Sequence, residues 1–263
     1  MAVTPTRGEA GWAKIGAVDL YAISATPRDD PALYAPMLAG HYFPLNYASG
    51  ISVPAADVVT NVYTDFWSAA QFGNWFGVSN AVRAGDVAPT GTPALYYNDG
   101  STSGGFSGLV GNTFSLELVQ GAPTMLTMGF VGLATATTTG TRTGTSSPIM
   151  SADGTFTGAT GVHRYALNFS NNCRASGEIG GSTRPVAITS DAPTFTVTLL
   201  QKPGGTIPTT TLTTIIGGAT IITKFRLTAG PNKVIAAGEV LEERVFTGMH
   251  VASGDVPFSI AWA

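Results

Sequence analysis

The feature that most constrains this chain is a two-residue alternation of apolar and polar side chains, repeated along its C-terminal part. Phe114, Leu116 and Leu118 share one face of an extended segment, with Thr113, Ser115 and Glu117 on the other. The same pattern recurs at Tyr165, Leu167 and Phe169, at Phe195, Val197 and Leu199, and at Thr223, Phe225 and Leu227. Phe258, Ile260 and Trp262 repeat it at the end of the sequence. Successive side chains of a strand point to opposite faces, so each segment offers one face to a core and one to solvent. Strands of this kind pair antiparallel and pack in layers. The expected fold is mainly β, an antiparallel sandwich or partial barrel with one or two short helices.

Thr supports this reading, since 28 of its 36 copies lie from Thr113 onward and β-branched residues favour a pleated, half-buried surface. Two segments depart from the alternation. Val58, Val62, Phe66 and Ala69 recur at spacings of three and four, which predicts an amphipathic helix over Ala55 to Phe72, with Pro54 before it and Gly73 as its stop. Ala122 to Ala134, with Pro123 near its start, predicts a second, short helix. Gly129 and Gly132 weaken that helix by up to about 1 kcal/mol each.

Connecting segments follow from composition. Gly100 to Gly111 reads as a surface loop and Asp29-Asp30 before Pro31 as a turn. Glu242-Glu243-Arg244 reads as the exposed edge of a strand or turn. Ala136 to Ser147 and Lys202 to Thr214 are Thr/Gly tracts expected to be ordered by neighbouring subunits. No internal repeat is evident, and a change of character near residue 110 suggests an N-terminal arm with an added surface element (1–110) ahead of a β-sandwich domain (111–263).

Charge narrows the function. Only 11% of the residues are charged, against roughly 25% in an average soluble domain, and the net charge is -3. No broad basic face for phosphate backbones is expected. A chain with so few charges either hides much of its surface against copies of itself, because charge is depleted in interfaces, or is a Thr-rich β-protein that is simply neutral outside. Met1 to Ala13 lacks a basic segment followed by an apolar core, so no signal peptide is expected. No apolar stretch approaches the roughly 20 residues of a membrane span.

Motifs for chemistry are missing. His41, His163 and His250 stand at no metal-ligand spacing, and Cys173 is the single cysteine. Neither a nucleophile elbow nor a phosphate-binding loop occurs. No enzymatic activity, catalytic residue, cofactor or metal is therefore expected. Tyr63, Phe66, Trp67, Phe72, Trp75 and Phe76 form an aromatic group expected in a core or interface. Stacking of Trp67 and Trp75 on sugars is the alternative reading of that group.

The segment from Arg164 to Leu200 carries the most information. A strand, RYALNFS, ends in the pair Asn171-Asn172. A Gly-rich stretch follows, then Arg184-Pro185 and a Thr-alternating strand, TFTVTLL. This resembles the central hairpin region of bacteriophage tail tube proteins, and GNTFSLELV (111–119) resembles a strand of the same family. The likeness covers roughly residues 110 to 263. It implies a structural virion protein, made in the host cytoplasm, whose subunits assemble into stacked rings, commonly hexameric. Their inner sheets would join into one continuous barrel around a tape-measure protein. The tube would meet terminator and tail-tip proteins at its ends, and DNA would pass through the bore with transient contact only. A capsid decoration or tail-tip protein is the alternative within the virion, and a carbohydrate-binding β-sandwich the alternative outside it.

Overall fold

The computed structural model describes residues 12–16, 18–20, 22–34, 48–78, 94–98, 103–136, 147–176, 185, 187–236, 238–249 and 257–263. In chain order the strands begin with β1 (Trp12–Ile15), β2 (Val18–Leu20), β3 (Ala22–Tyr34), β4 (Ala48–Asn61), β5 (Leu95–Asn98) and β6 (Ser103–Ser107). They continue with β7 (Val110–Val119), β8 (Met125–Val131), β9 (Ala134–Ala136), β10 (Thr155–Thr157), β11 (Val162–Ser170) and β12 (Cys173–Ser176). The last are β13 (Ala187–Ser190), β14 (Thr194–Gln201), β15 (Thr211–Ile216), β16 (Ala219–Ala236), β17 (Glu239–Gly248) and β18 (Phe258–Trp262). The protein is mainly β and its sheets are antiparallel.

One layer is a run of eight strands in the order β16-β17-β14-β11-β7-β8-β4-β3. Its inner face carries the predicted apolar sets, and Phe114, Leu116, Leu118, Tyr165, Leu167, Phe169, Phe195, Val197 and Leu199 are all buried. The second layer is made by β10, β15, β18 and the first part of β16, which pairs with β15 through Lys224 and with β18 through Thr223. From Phe225 onward β16 pairs with β17, so this one strand belongs to both layers. Phe258 of β18 lies across the gap, 4.8 Å from the Phe169 ring, 5.4 Å from Phe195 and 6.3 Å from Phe114 between centroids. This is sheet-on-sheet packing in a sandwich. A five-stranded sheet, β2-β1-β5-β6-β9, adds Ile15, Leu95 and Phe106 to the same core cluster. Strands from both sides of residue 110 thus share one sheet through β4 and β8, and one core.

Several expectations are corrected. The helix expected over Ala55 to Phe72 is β4 as far as Asn61, where Ala56, Val58 and Thr60 are buried and Ala55, Asp57 and Val59 are half-buried. Val58-Val59-Thr60 is a β-branched run with partner strands on both sides, and pairing outweighs a coincidental spacing of three and four. After β4 come a π-helical turn, Ala69–Gly73, and α1 (Asn74–Phe76), and the other helical turn among the described residues is the 3-10 turn Ser151–Asp153. The chain therefore passes through Gly73 and turns at Gly77, whose φ of 67 suits glycine.

The second expected helix is β8. Leu126, Met128 and Phe130 alternate inward, and Gly129 leaves room for Thr113 and Asp57 across the sheet. Gly100 to Gly111 is not simply a loop, because β6 and the start of β7 lie in it with Phe106 and Leu109 buried. Asp29-Asp30 lies within β3, opposite Pro54 and Val53, rather than in a turn. Leu227, expected inward, is 46% exposed, because β16 crosses between layers there and bulges between Leu227 and Ala229. Glu242-Glu243-Arg244 is no exposed edge: β17 lies between β16 and β14, and Arg244 is buried with Glu242 as its ion partner.

Lys202 to Thr214 is ordered by its own chain. The Gln201 side-chain amide donates to the carbonyls of Thr160 (3.1 Å) and Thr206 (2.9 Å), and the Thr run from Thr211 forms β15. Of the other Thr/Gly tract, residues 137–146 lie outside the described residues.

Tyr165 is fully buried on β11 against Phe156, and burial pushes its phenol well above the ordinary 10.0, with the Thr214 hydroxyl lowering it by less. The unfolded chain then loses this proton from about pH 10 while the folded one keeps it. Stability should therefore fall above about pH 10, by up to about 1.4 kcal/mol per pH unit from this group. Urea unfolding between pH 9 and 11 measures the slope, and Tyr165→Phe should remove this share of it.

Candidate assembly surface

The outer face of the eight-stranded layer is rich in polar side chains. One row of paired residues crosses all eight strands, running Ser24, Val59, Thr127, Ser115, Asn168, Thr196, Thr247 and Arg226. The neighbouring row contains Thr26, Asp57, Gly129, Thr113, Ser170 and Thr194. These positions face outward because the core residues take the alternate ones. Thr113, Thr127, Asn168, Thr194 and Thr247 are exposed, and the side chains around them form a shallow groove of about 390 Å³.

Two ion pairs lie on this face, and Arg226 stands exposed at its end. Arg28 Nη2 lies 2.6 Å from Asp57 Oδ2 across the β3–β4 pair, and Arg164 Nε lies 2.5 Å from Glu117 Oε1 across β11–β7. Both pairs are largely exposed and so contribute little stability. Their electrostatic effect matters more, since each cancels a field that would attract or repel a charged neighbour. What remains is a hydroxyl- and amide-rich wall without a concentrated charge.

Both ends of the layer are open. β3 pairs only with β4, and beyond Phe225 β16 pairs only with β17, among the described residues. Such edges carry backbone N–H and C=O groups without ladder partners. Along the β16–β17 ribbon, Leu227, Ile235 (80% exposed) and Val240 (50%) are large apolar side chains facing water. Pro27 and Pro31 fall in β3, a placement that an edge strand tolerates.

The Asn pair that ends β11 is a structural joint. Asn171 is completely buried, and its Nδ2 donates to the carbonyls of Gly111 (2.6 Å) and Phe76 (3.1 Å). It ties the end of α1 to the start of β7. Gly111 permits this approach, because a Cβ there would lie 2.5 Å from the Trp75 carbonyl oxygen and 2.6 Å from the Phe76 ring. Asn172 takes the left-handed conformation, φ 52, and donates its side-chain amide to the Ala192 carbonyl at 2.7 Å.

The aromatic group lies inside. Phe66, Trp67, Phe72, Trp75 and Phe76 are buried, and Trp67 Nε1 donates to the Ile216 carbonyl at 2.9 Å. Phe72 and Phe76 lie 5.0 and 5.2 Å from Phe114. Trp67 and Trp75 therefore present no open ring face for a sugar. His163 sits at the start of β11, 3.6 Å from Glu239, whose other oxygen lies 3.4 Å from Lys202 Nζ. His41 and His250 lie outside the described residues. Cys173 is half-buried, its backbone N–H held by Asn112 Oδ1 at 2.8 Å.

Alternation alone did not reveal that charges on the outer face pair across strands, or that β3 closes one end of the sheet. Partners 29 and 47 residues apart become neighbours only once strand order and register are known. No family model matches the chain, and no curated protein matches it.

Proposed function

We propose that this chain is a structural subunit that assembles with copies of itself into rings, stacked as the hollow tube of a long-tailed bacteriophage. The observation that carries the reading is the eight-stranded sheet with a Thr-rich outer face, two of whose charge pairs cancel across strands, and an unpaired strand at each end. Identical subunits repeating head to tail would pair those ends and close a barrel, as a heterologous interface does when its rotation closes. That face would then line the bore. DNA binding depends on cations releasing counterions from phosphates, and a wall of hydroxyls lets a polyanion pass without being held. The resemblance of residues 110 to 263 to tail tube proteins supports the same reading. It supplies the expected company: a tape-measure protein within, terminator and tail-tip proteins at the ends, and residence in the virion.

The test is direct. Purified chain, concentrated stepwise and viewed by negative-stain electron microscopy and sedimentation velocity, should convert to hollow tubes built of rings. A monodisperse monomer at every concentration, and its absence along the tails of the virions that encode it, would remove the proposal.

A further inference from the structure

The two open edges do not lie level with one another. The row that begins at Ser24 on β3 ends at Arg226 on β16. From Ser24, β3 runs about ten residues in one direction, to Tyr34. From Arg226, β16 runs in the opposite direction to Ala236, a span that its two bulges reduce to eight ladder steps, from opposite Thr247 to opposite Glu239 of β17. A flat ring that kept neighbours level would bring together only the few residues around Ser24 and Arg226, leaving most of each edge bare.

We infer that successive subunits join β3 to the neighbour's β16 with a stagger of about eight residues, so that the barrel they close has its strands strongly tilted. Three observations converge on this seam. The first is direction. All seven neighbouring pairs of the layer are antiparallel, so β3 and β16 run oppositely, and β3 laid against a copy's β16 continues the antiparallel pattern. The second is charge. The free part of β16 carries Arg226 and Lys233 and no acid, whereas β3 carries Asp29 and Asp30 against the single Arg28, which is bound to Asp57. The third is tilt. A step of about eight residues at ~3.3 Å each, taken over eight strands spaced ~4.8 Å, inclines the strands by about 35°, at the lower end of the roughly 35–45° of closed barrels.

This tilt does not depend on the number of copies, because stagger and circumference grow together. The occupant of each edge is therefore a second copy of this chain. Pro27 and Pro31 withhold two N–H donors from β3 and so restrain it from pairing indiscriminately. The inference rests on the assembly proposed above and adds its register.

Cysteine cross-linking in assembled material tests it. With Ser24 set against the neighbour's Ala236, Thr26 stands opposite Val234. In a Cys173→Ser background, Thr26→Cys is combined in turn with Asn232→Cys, Val234→Cys and Ala236→Cys, and Ser24→Cys is combined with Arg226→Cys as the level-ring alternative. Directly opposed cysteines fall within bridging distance. A ladder of disulfide-linked oligomers centred on the Val234 pairing is the expected result. Tubes that cross-link through Ser24 and Arg226, or at none of these pairs, overturn the stagger while leaving the assembly reading intact. Failure of the unmodified chain to form tubes overturns both. Strand tilt measured by cryo-electron microscopy of unmodified tubes provides a second reading: about 35° agrees, and strands near parallel to the axis do not.

Discussion

Asn171→Asp is expected to cost on the order of 4 kcal/mol of stability, a large share of the roughly 5–15 kcal/mol that holds an ordinary domain folded. The substitution keeps shape and size but exchanges the donor that serves two carbonyls for an acceptor. Gly111 and Phe76 would each lose the Nδ2 donor, and a carboxylate would face them in a site without solvent exposure. Urea denaturation followed by tryptophan fluorescence checks this, since Trp67 and Trp75 lie in the core that the joint holds together. Asn172→Gly is the informative control. Glycine accepts the positive φ, so only the side-chain contacts are lost, the amide to the Ala192 carbonyl and the Oδ1 that accepts from Ser170 Oγ, and a change of about 1 kcal/mol is expected. A mild Asn171→Asp phenotype would mean that the joint closes by some other route.

Ile235→Lys should have the opposite profile, a folded monomer that does not assemble. Its side chain is mostly exposed in the isolated subunit, so the unfolding midpoint should move by no more than about 0.5 kcal/mol. In a seam between copies, the same lysine would be a desolvated charge added to a strand edge that already carries Arg226 and Lys233. The concentration needed to form tubes should rise at least about a hundredfold, equivalent to roughly 2.7 kcal/mol per contact. Light scattering against concentration, with circular dichroism confirming the fold, measures both quantities. Unimpaired assembly would take the exposed end of the β16–β17 ribbon out of the interface.

Much of the sandwich was legible because a strand with one buried face must alternate, and β14, β18 and β7 from Thr113 onward do so, while Ala166 of β11 is buried between Tyr165 and Leu167. Where the reading failed, another force outweighed the local pattern. Val58 and Val62 stand one helical turn apart, yet Val58 belongs to a strand with neighbours on both sides, and sheet pairing decided the matter. Leu227 fits the alternation of β16 but leaves the covered region where the strand crosses between layers. Arg244 looks like a surface residue beside two acids, but a central strand buries it together with its ion partner. The outer face was partly foreseeable as a Thr-rich surface. Its cancellation of charge was not, because Arg28–Asp57 and Arg164–Glu117 are meetings of distant segments.

The crossing strand β16 has a mechanical consequence. Its first part is clamped between β15 and β18, and its last part forms the outer margin of the sheet. A pull on that margin along the strand loads the backbone bonds on both sides of the clamp together, in shear, instead of peeling them one at a time. Force applied at the rim is thus delivered into the aromatic interior around Phe258, where the two layers are most tightly bound. A cylinder made of such units would resist stretching through its walls as well as its joints.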